Sequence, residues 1–185
     1  MNEKLRLGRY FFMDILREGI LLFEEPGYPF TEPQPLSPQQ ALDETRSFFE
    51  EWFGSAERTF KGARFHITEG DTKEAAFDLH QTTERLYQCL FLVRTLYTPK
   101  THNLNRLRAL AEDMEPSLQQ VWPASNRDEK RAYARLREAY IKARYSREYR
   151  ITAAELEWLG TRVELLQSLV QRACRARLEL LEEAA

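Results

Sequence analysis

The sequence has few of the residues that build metal centres, disulfide frameworks or phosphate-binding loops. It contains two cysteines, three histidines and seven glycines among 185 residues. Cys89 and Cys174 both fall in apolar helical patterns without metal-ligand spacing, which indicates buried thiols in a reducing cytoplasm. There is no Gly-rich phosphate loop, no HExxH motif and no nucleophile-elbow sequence. We therefore expect no bound metal and no cofactor.

Long apolar runs and an excess of positive charge are also missing. The longest uncharged apolar run, residues 89–93, is far too short to span a bilayer. The opening sequence, MNEKLRLGRY, lacks the apolar segment of a secretory signal. The formal net charge is −2, which argues against a basic footprint over the whole protein. We expect a cytoplasmic protein without membrane association, in which any contact with nucleic acid is local.

Residues 1–36 differ in composition from the rest of the chain. Residues 9–15 (RYFFMDI) and 19–23 (GILLF) are rich in β-branched and aromatic side chains, and they are predicted to form a short β-ribbon. Two isolated strands are marginal in water, so this ribbon needs the helices, a copy of itself in a dimer, or a sheet outside the chain. Residues 25–38 hold five of the eight prolines and indicate a linker.

From residue 37 onward, apolar side chains recur every three or four positions, which predicts amphipathic helices. Short loops between long helices imply antiparallel neighbours. We therefore predict an all-α, up-and-down bundle of about five helices in residues 37–185, preceded by the ribbon and linker in residues 1–36. The predicted helix starts are Ser37 with Gln40 in a capping box, Asp71 with Glu74, Leu104, Ser125, and Thr152 with Glu155 in a second capping box.

The last helix carries a seven-residue apolar repeat. Two interpretations fit this repeat: a face buried in the bundle, or a coiled-coil seam to a partner, although Arg177 interrupts it. The repeat consists of Leu156, Leu159, Val163, Leu166, Val170, Ala173 and Leu180.

The second helix is the most apolar, yet one of its turns carries His80, Gln81 and Glu84. His80 and Glu84 are one turn apart and share a face. They form either a buried network in which each satisfies the other, or the polar floor of a cleft between the second and fourth helices. In the second case an arginine would hold the carboxylate ionised, and we expect Arg144 to be that partner. The helix is predicted to end at Thr98, because a residue before proline avoids the α region.

The fourth helix and the loop before the third supply basic and aromatic groups. Nine Lys or Arg residues and four Asp or Glu residues lie between positions 127 and 150, a balance of +5, and four tyrosines interleave with them. This mixture favours a nucleotide or single-stranded nucleic acid, although a solvated face laced with ion pairs fits it equally well. In the loop, either His102 is a hydrogen-bonding residue at the start of the next helix, or Lys100 and His102 reach a phosphate at its N-terminus.

Three segments in this order resemble the HEPN family, over about residues 41–174: AAFDLHQTTERLYQCLFLV, TPKTHNLNRL and AYIKARYSREYRIT. The resemblance implies a helical bundle, usually a homodimer with its cleft between the two copies. The N-terminal RYFFMDILREGILLFEE resembles the last strands of the minimal nucleotidyltransferase domain that precedes HEPN in fused (MNT-HEPN) proteins. Residues 1–36 are therefore expected to be the tail of such a domain, whose catalytic Gly-Ser and paired-aspartate motif is absent here.

Many HEPN members are metal-independent ribonucleases, often toxins that a nucleotidyltransferase partner neutralises. Their motif is an arginine followed, after four to six residues, by a histidine. Here Arg144 is the candidate arginine, and Tyr149 stands where the histidine is expected. A phenol, with a pKa of about 10, is a poor proton shuttle at neutral pH. We therefore expect a binding module rather than an enzyme.

The sequence thus predicts a HEPN module that binds a nucleotide or RNA at a dimer-interface cleft, accessory to a nucleotidyltransferase in a toxin–antitoxin-like system. Glu84 and Arg144 are expected on the floor of the cleft, and Lys100, His102 and Tyr149 at its rim. The alternatives are a ribonuclease with an altered Arg-x4–6-His site and a purely structural dimerisation domain. The predicted binding residues are His80, Gln81, Glu84, Lys100, His102, Arg144, Tyr145 and Tyr149.

Overall fold

The computed structural model describes residues 2, 5, 15–16, 18–23, 25–32 and 36–185. These residues contain five α-helices, which confirms the predicted all-α helical bundle. The helices are α1 (Pro38–Glu69), α2 (Thr72–Thr95), α3 (Leu104–Met114), α4 (Arg127–Tyr145) and α5 (Ala153–Ala184), with a 3₁₀ helix (Pro116–Gln120) between α3 and α4.

The predicted N-terminal β-ribbon is not supported. Residues 19–23 are described and contain no strand, and the backbone of Ile15, Leu16 and Glu18 is helical. Positions 9–14 of the first predicted strand lie outside the described residues. Side chains at Ile20 and Leu22 are largely exposed. The β-branched and aromatic side chains of residues 19–23 do not make a strand by themselves, because a strand is stabilised by a neighbouring strand and a buried face.

Local capping chemistry sets where the first and last helices begin. The Ser37 hydroxyl accepts a hydrogen bond from the backbone N–H of Gln40, and Oε1 of Gln40 accepts one from the backbone N–H of Ser37, as predicted. Thr152 and Glu155 form the same reciprocal box before α5. Helix α2 begins after Asp71, as predicted, but the Asp71 carboxylate makes no capping hydrogen bond and instead lies 3.3 Å from Nδ1 of His66.

Two helix boundaries differ from the prediction. Helix α2 ends at Thr95, three residues before the predicted end, because Leu96 takes a left-handed conformation with φ of 56°. Helix α4 begins after Asn126, whose side chain accepts from the N–H of Glu129, rather than at Ser125. The earlier end of α2 lengthens the loop to α3, in which His102 lies as predicted.

Helix α2 lies at the centre of the bundle and packs against α1, α3, α4 and α5. Ion pairs join Arg46 to Glu182 at 2.8 Å and Arg64 to Glu157 at 3.4 Å, so the start of α1 lies beside the end of α5 and these helices are antiparallel. The Nζ atom of Lys73, near the start of α2, donates to the carbonyl oxygen of Ser146 just after α4. Helices α2 and α4 are therefore antiparallel as well.

The apolar repeat of α5 faces the interior of this chain. Leu166 and Val170 are fully buried, whereas Leu180 is exposed near the end of the helix. This confirms the buried-face interpretation, because side chains packed in the monomer's own core do not form a seam to a partner. Cys89 and Cys174 are free and buried, as predicted. The part of the chain that the structure describes has no helix long and apolar enough to cross a membrane.

Candidate functional site

A cluster of polar and aromatic side chains lies where the middle of α2, the loop between α2 and α3, and the second half of α4 meet. Helix α2 contributes His80 and Glu84, which lie one turn apart on the face toward α4. The loop contributes His102, and α4 contributes Tyr140 and Arg144. The sequence separates these residues by up to 64 positions, so the packing of α4 against α2 is what brings them together.

Glu84 is the anionic centre of the cluster and is only 6% exposed. Its Oε1 atom accepts hydrogen bonds from Nδ1 of His102 at 2.9 Å and from the side-chain amide of Gln88 at 3.1 Å. Burial raises the pKa of Glu84, but the close approach of His80 and the hydrogen bond from His102 outweigh burial and leave the pKa below its ordinary value. The carboxylate is therefore ionised at neutral pH.

His80 ties α2 to α4 from the interior. Its Nδ1 atom donates to the carbonyl oxygen of Leu136 at 3.0 Å, because a carbonyl can only accept. The other ring nitrogen, Nε2, lies 3.6 Å from Oε2 of Glu84, and both atoms are buried without a hydrogen-bond partner among the described residues. The predicted mutual satisfaction of His80 and Glu84 is therefore incomplete at this distance. Gln81 also has a buried, unpartnered amide nitrogen.

His102 joins the buried carboxylate to the surface. Since Glu84 accepts at Nδ1, that nitrogen carries a proton, and the opposite Nε2 edge of the ring points away from the carboxylate. The imidazole stacks on the Tyr140 ring, with centroids 4.7 Å apart and planes inclined by 13°. Its side chain is 60% exposed. The ring is thus fixed by two contacts while one face and the Nε2 edge remain open to solvent.

Arg144 lies on the outside of the cluster and does not pair with Glu84, so the predicted partnership is wrong. Its Nε atom donates to the carbonyl oxygen of Tyr140 at 2.9 Å. Its guanidinium carbon lies 4.8 Å from the ring centroids of both Phe77 and Tyr140, and 5.0 Å from that of Tyr145. A planar guanidinium stacks on rings while staying hydrated, so it remains at the surface. His102 takes the place beside Glu84 that was expected for Arg144.

The two tyrosines among the predicted binding residues, Tyr145 and Tyr149, have opposite environments. Tyr145 is 76% exposed and lies beside Arg144. Tyr149 is buried, and its hydroxyl donates to the carbonyl oxygen of Arg135 at 2.9 Å. Burial raises the pKa of Tyr149 well above its ordinary value. The prediction that Tyr149 lies at the rim is therefore wrong, because its polar atom is used to hold the loop after α4 against α4.

Lys100 and His102, which could reach one phosphate in one of the two interpretations, line separate cavities. Lys100 is exposed in a cavity of about 990 Å³, which also includes Arg94, Tyr97 and Arg106. His102 lines a cavity of about 680 Å³ on the side of α4. The smaller cavity is lined by two members of the polar cluster, His102 and Tyr140, so we place the candidate site there. Its lining includes His102, Asn103, Asn105, Arg137, Tyr140 and Lys142.

Sequence reasoning missed several members of this site. Tyr140 lies one turn before Arg144, so its helical spacing was the signal that could have placed it in the site. Phe77 and Gln88 carried no comparable signal, because an aromatic residue and an amide on a helix are usually structural. The first half of α4 fits the alternative of an ion-paired face, since Arg131 bridges Asp128 and Glu155.

The arrangement therefore combines an ionised buried carboxylate, an oriented imidazole, exposed rings and basic groups. The described residues contain no group of His, Cys, Asp or Glu side chains that could hold a metal ion. A family model described as HEPN domain matches residues 49–173, which is more than half of the chain and includes all of these groups. No curated protein sequence matches the chain.

Proposed function

Since this chain belongs to the HEPN domain family, we propose that it binds a nucleotide or RNA on the surface where α2, the α2–α3 loop and α4 meet. One observation carries this proposal: His102 and Arg144 both contact the ring of Tyr140, at 4.7 Å and 4.8 Å. An imidazole, a guanidinium and a phenol ring in direct contact form a surface on which a nucleobase can stack.

The charge of this surface supports a phosphate-containing ligand. Arg137 and Lys142 line the cavity beside His102, and Arg144 extends the basic surface along α4. Lys142 is also 3.2 Å from Glu138, so part of its charge is balanced within the helix. Cations that follow one helix for two turns suit the regular spacing of backbone phosphates, and they bind phosphate regardless of base sequence.

Exposed apolar side chains beside the cavity support a dimer. Ile141 is 62% exposed and lines the cavity, and Tyr145, one turn further along α4, is 76% exposed. Residues four positions apart are neighbours on a helix, so these two side chains form one exposed apolar patch, and contiguous patches mark surfaces that another protein covers. We infer that a second copy of the chain covers this part of α4, so that the ligand is held in a cleft between two copies. The resemblance to HEPN homodimers supports the same arrangement.

We further propose that the module accompanies a nucleotidyltransferase, in a toxin–antitoxin-like system. Support comes from the N-terminal sequence RYFFMDILREGILLFEE, which resembles the end of a minimal nucleotidyltransferase domain. On this proposal, residues 1–36 form the tail of that domain and residues 37–185 form the HEPN bundle. A binding assay between the purified chain and a separately expressed minimal nucleotidyltransferase domain tests the partnership, and failure of the two to associate would contradict it.

The two alternatives, a ribonuclease with an altered Arg-x4–6-His site and a purely structural dimerisation domain, have less support than the binding function. A ribonuclease built on Arg144 and Tyr149 needs an accessible phenol, whereas the Tyr149 hydroxyl is buried and bonded to the backbone of Arg135. A purely structural domain has no use for a buried carboxylate that orients an exposed imidazole, since an apolar pair of the same size is less costly to bury.

Fluorescence anisotropy with labelled single-stranded RNA, together with thermal melting in the presence of ATP or GTP, tests the binding proposal. Arg144→Ala should weaken RNA binding and lower the salt dependence of log Kd by about one unit, because one phosphate contact is lost. Arg131→Ala is the matched control, since Arg131 is engaged with Glu155 on the first half of α4. Wild-type protein that neither binds RNA at low salt nor shifts its melting temperature at millimolar nucleotide would contradict the proposal.

A further inference from the structure

The cavity that Lys100 lines has no part in the proposed function. Its volume is about 990 Å³, and most of its lining comes from α2, the α2–α3 loop and α3. It shares no lining residue with the cavity of the candidate site. We propose that this larger cavity binds a small amphipathic anion, which carries an anionic head group on an apolar body about two helical turns long. This site is additional to the proposed binding of a nucleotide or RNA.

Helix α3 forms one wall of the larger cavity with a row of three side chains. Arg106, Leu110 and Met114 line the cavity at intervals of four residues, so they are neighbours along one face of the helix. At a rise of 1.5 Å per residue, the row is about 12 Å long. It begins with a guanidinium and continues with two apolar side chains. A ligand that matches this row has a charged end and an apolar end.

Apolar side chains of α2 and of the following loop extend the apolar part of the lining. Phe91 of α2 and Tyr97 of the loop line the same cavity. Tyr97 is 38% exposed and Leu110 is 40% exposed, although both side chains are large and apolar. Covering them with an apolar body removes their surface from water, which is favourable. The larger cavity therefore has an apolar lining that a purely polar anion would leave exposed.

Charge is distributed unevenly along the larger cavity. Arg94 lies 3.9 Å from Glu115, which directly follows α3, so its charge is partly balanced at the apolar end of the row. At the other end, the guanidinium of Arg106 has no ion pair or hydrogen bond among the described residues. Among the described lining residues, Lys100 is a further cation and Glu18 is the one carboxylate, so three cations and one acid leave a balance of +2. We therefore expect the anionic head group at Arg106.

The apolar and the charged parts of the lining together select the class of ligand. A guanidinium binds a carboxylate or phosphate through paired, charge-assisted hydrogen bonds. An inorganic anion would leave Tyr97 and Leu110 exposed, and a neutral amphiphile would leave Arg106 without a partner. The volume of about 990 Å³ is at the upper end of the range of about 300–1,000 Å³ that is usual for small-molecule cavities. An organic anion with an apolar body therefore fits the cavity best.

The test uses purified full-length protein and the fluorescent dye anilinonaphthalene sulfonate, an anion with apolar rings. Decanoate should displace the bound dye. Decanol has the same chain without the charge, and acetate has the same head group without the chain, so each should be at least about tenfold less effective. Equal displacement by decanoate and decanol would overturn the head-group site at Arg106. Failure of decanoate to displace the dye would overturn the whole proposal.

Arg106→Glu tests the charged end of the cavity. It should weaken decanoate binding at least about tenfold, because the head group then meets a like charge. Glutamate in the first turn of a helix is favourable, so α3 should remain folded. Arg175→Glu is the matched control, since Arg175 is exposed on α5 and lies outside the cavity. Equal affinity in the wild type and Arg106→Glu would overturn the proposal.

Leu110→Asp tests the apolar wall. An apolar chain cannot cover a carboxylate without removing its water, so decanoate should bind more weakly. Leu180→Asp is the matched control, because Leu180 is 59% exposed near the end of α5. Circular dichroism should show that both variants remain folded, since both leucines are partly exposed. Decanoate affinity that Leu110→Asp leaves unchanged would place the ligand on another apolar surface, such as the exposed residues 20–23, and would overturn the proposal.

Discussion

The buried carboxylate of Glu84 accepts a hydrogen bond at 2.9 Å from Nδ1 of His102, a residue 18 positions further along the chain and outside any helix. One partner is 6% exposed and the other has a side chain 60% exposed. The bond therefore connects the rigid centre of the bundle to its surface. The hydrogen bond to Glu84 holds His102 in a fixed position although His102 lies in a loop, and binding sites need side chains that are fixed in this way.

Tyr140→Leu should weaken RNA binding because it removes the ring that both His102 and Arg144 contact. Loss of one base-stacking ring costs about 1–3 kcal/mol, so Kd should rise about 5- to 150-fold. Leucine preserves helix α4 and the apolar volume, so melting temperature should change little. Tyr97→Leu is the control, because Tyr97 lines the larger cavity. Equal losses in the two variants would place the RNA in both cavities and contradict the chosen site.

Glu84→Gln should destabilise the protein at neutral pH by about 1–3 kcal/mol, since hydrogen bonds to a buried charge are weakened. Burial raises the pKa of Glu84, but its interactions with the nearby His80 and the hydrogen-bonded His102 outweigh burial and depress the folded-state pKa. A depressed folded-state pKa stabilises the fold above the unfolded value, and that stability is lost as pH falls through the folded value. Urea unfolding near pH 7 and near pH 3 should therefore show a difference between variant and wild type that shrinks in acid.

The control for this measurement is Glu182→Gln, which breaks an exposed ion pair with Arg46. Exposed pairs contribute about 0–1 kcal/mol, so this variant should unfold almost like the wild type near pH 7. A Glu84→Gln difference that stays the same at both pH values would show that the carboxylate is not held ionised by its neighbours.

Tyr149→Phe and Tyr145→Ala should have opposite effects. The first removes the hydrogen bond from a buried hydroxyl to the carbonyl oxygen of Arg135, which should cost about 0.5–1.5 kcal/mol of stability without changing RNA affinity. The second removes an exposed ring beside Arg144, which should weaken RNA binding with little change in stability. Urea unfolding and anisotropy on both variants check the pair. If Tyr149→Phe is as stable as the wild type but binds RNA more weakly, the Tyr149 hydroxyl takes part in RNA binding and this prediction is wrong.

Ile141→Glu should dissociate the proposed dimer and leave each copy folded, because Ile141 is exposed beside the cavity. Leu166→Glu should instead unfold the chain, since Leu166 is fully buried in the core and an unpaired charge there is severely destabilising. Sedimentation velocity and circular dichroism distinguish the two outcomes. A folded Ile141→Glu dimer as stable as the wild type would exclude this part of α4 as the interface.

Local rules predicted the bundle well because the signals for helices are local. The capping boxes at Ser37 and Thr152 are read from residues three positions apart, and both are formed. The same reasoning failed at residues 19–23, because a strand depends on a partner that composition cannot supply. It also failed at Asp71, whose carboxylate lies beside His66 instead of capping α2.

The sequence by itself determined that the chain is a helical bundle, that α2 carries its polar chemistry in one turn, and that His80 and Glu84 share a face. Helical periodicity and capping depend only on neighbouring residues, so they can be read along the chain. Only the tertiary structure decided that Glu84 meets His102 rather than Arg144, and that Tyr149 is buried while Tyr145 is exposed. Those outcomes depend on how α4 and the α2–α3 loop pack against α2, and this packing is set by contacts between residues far apart in sequence.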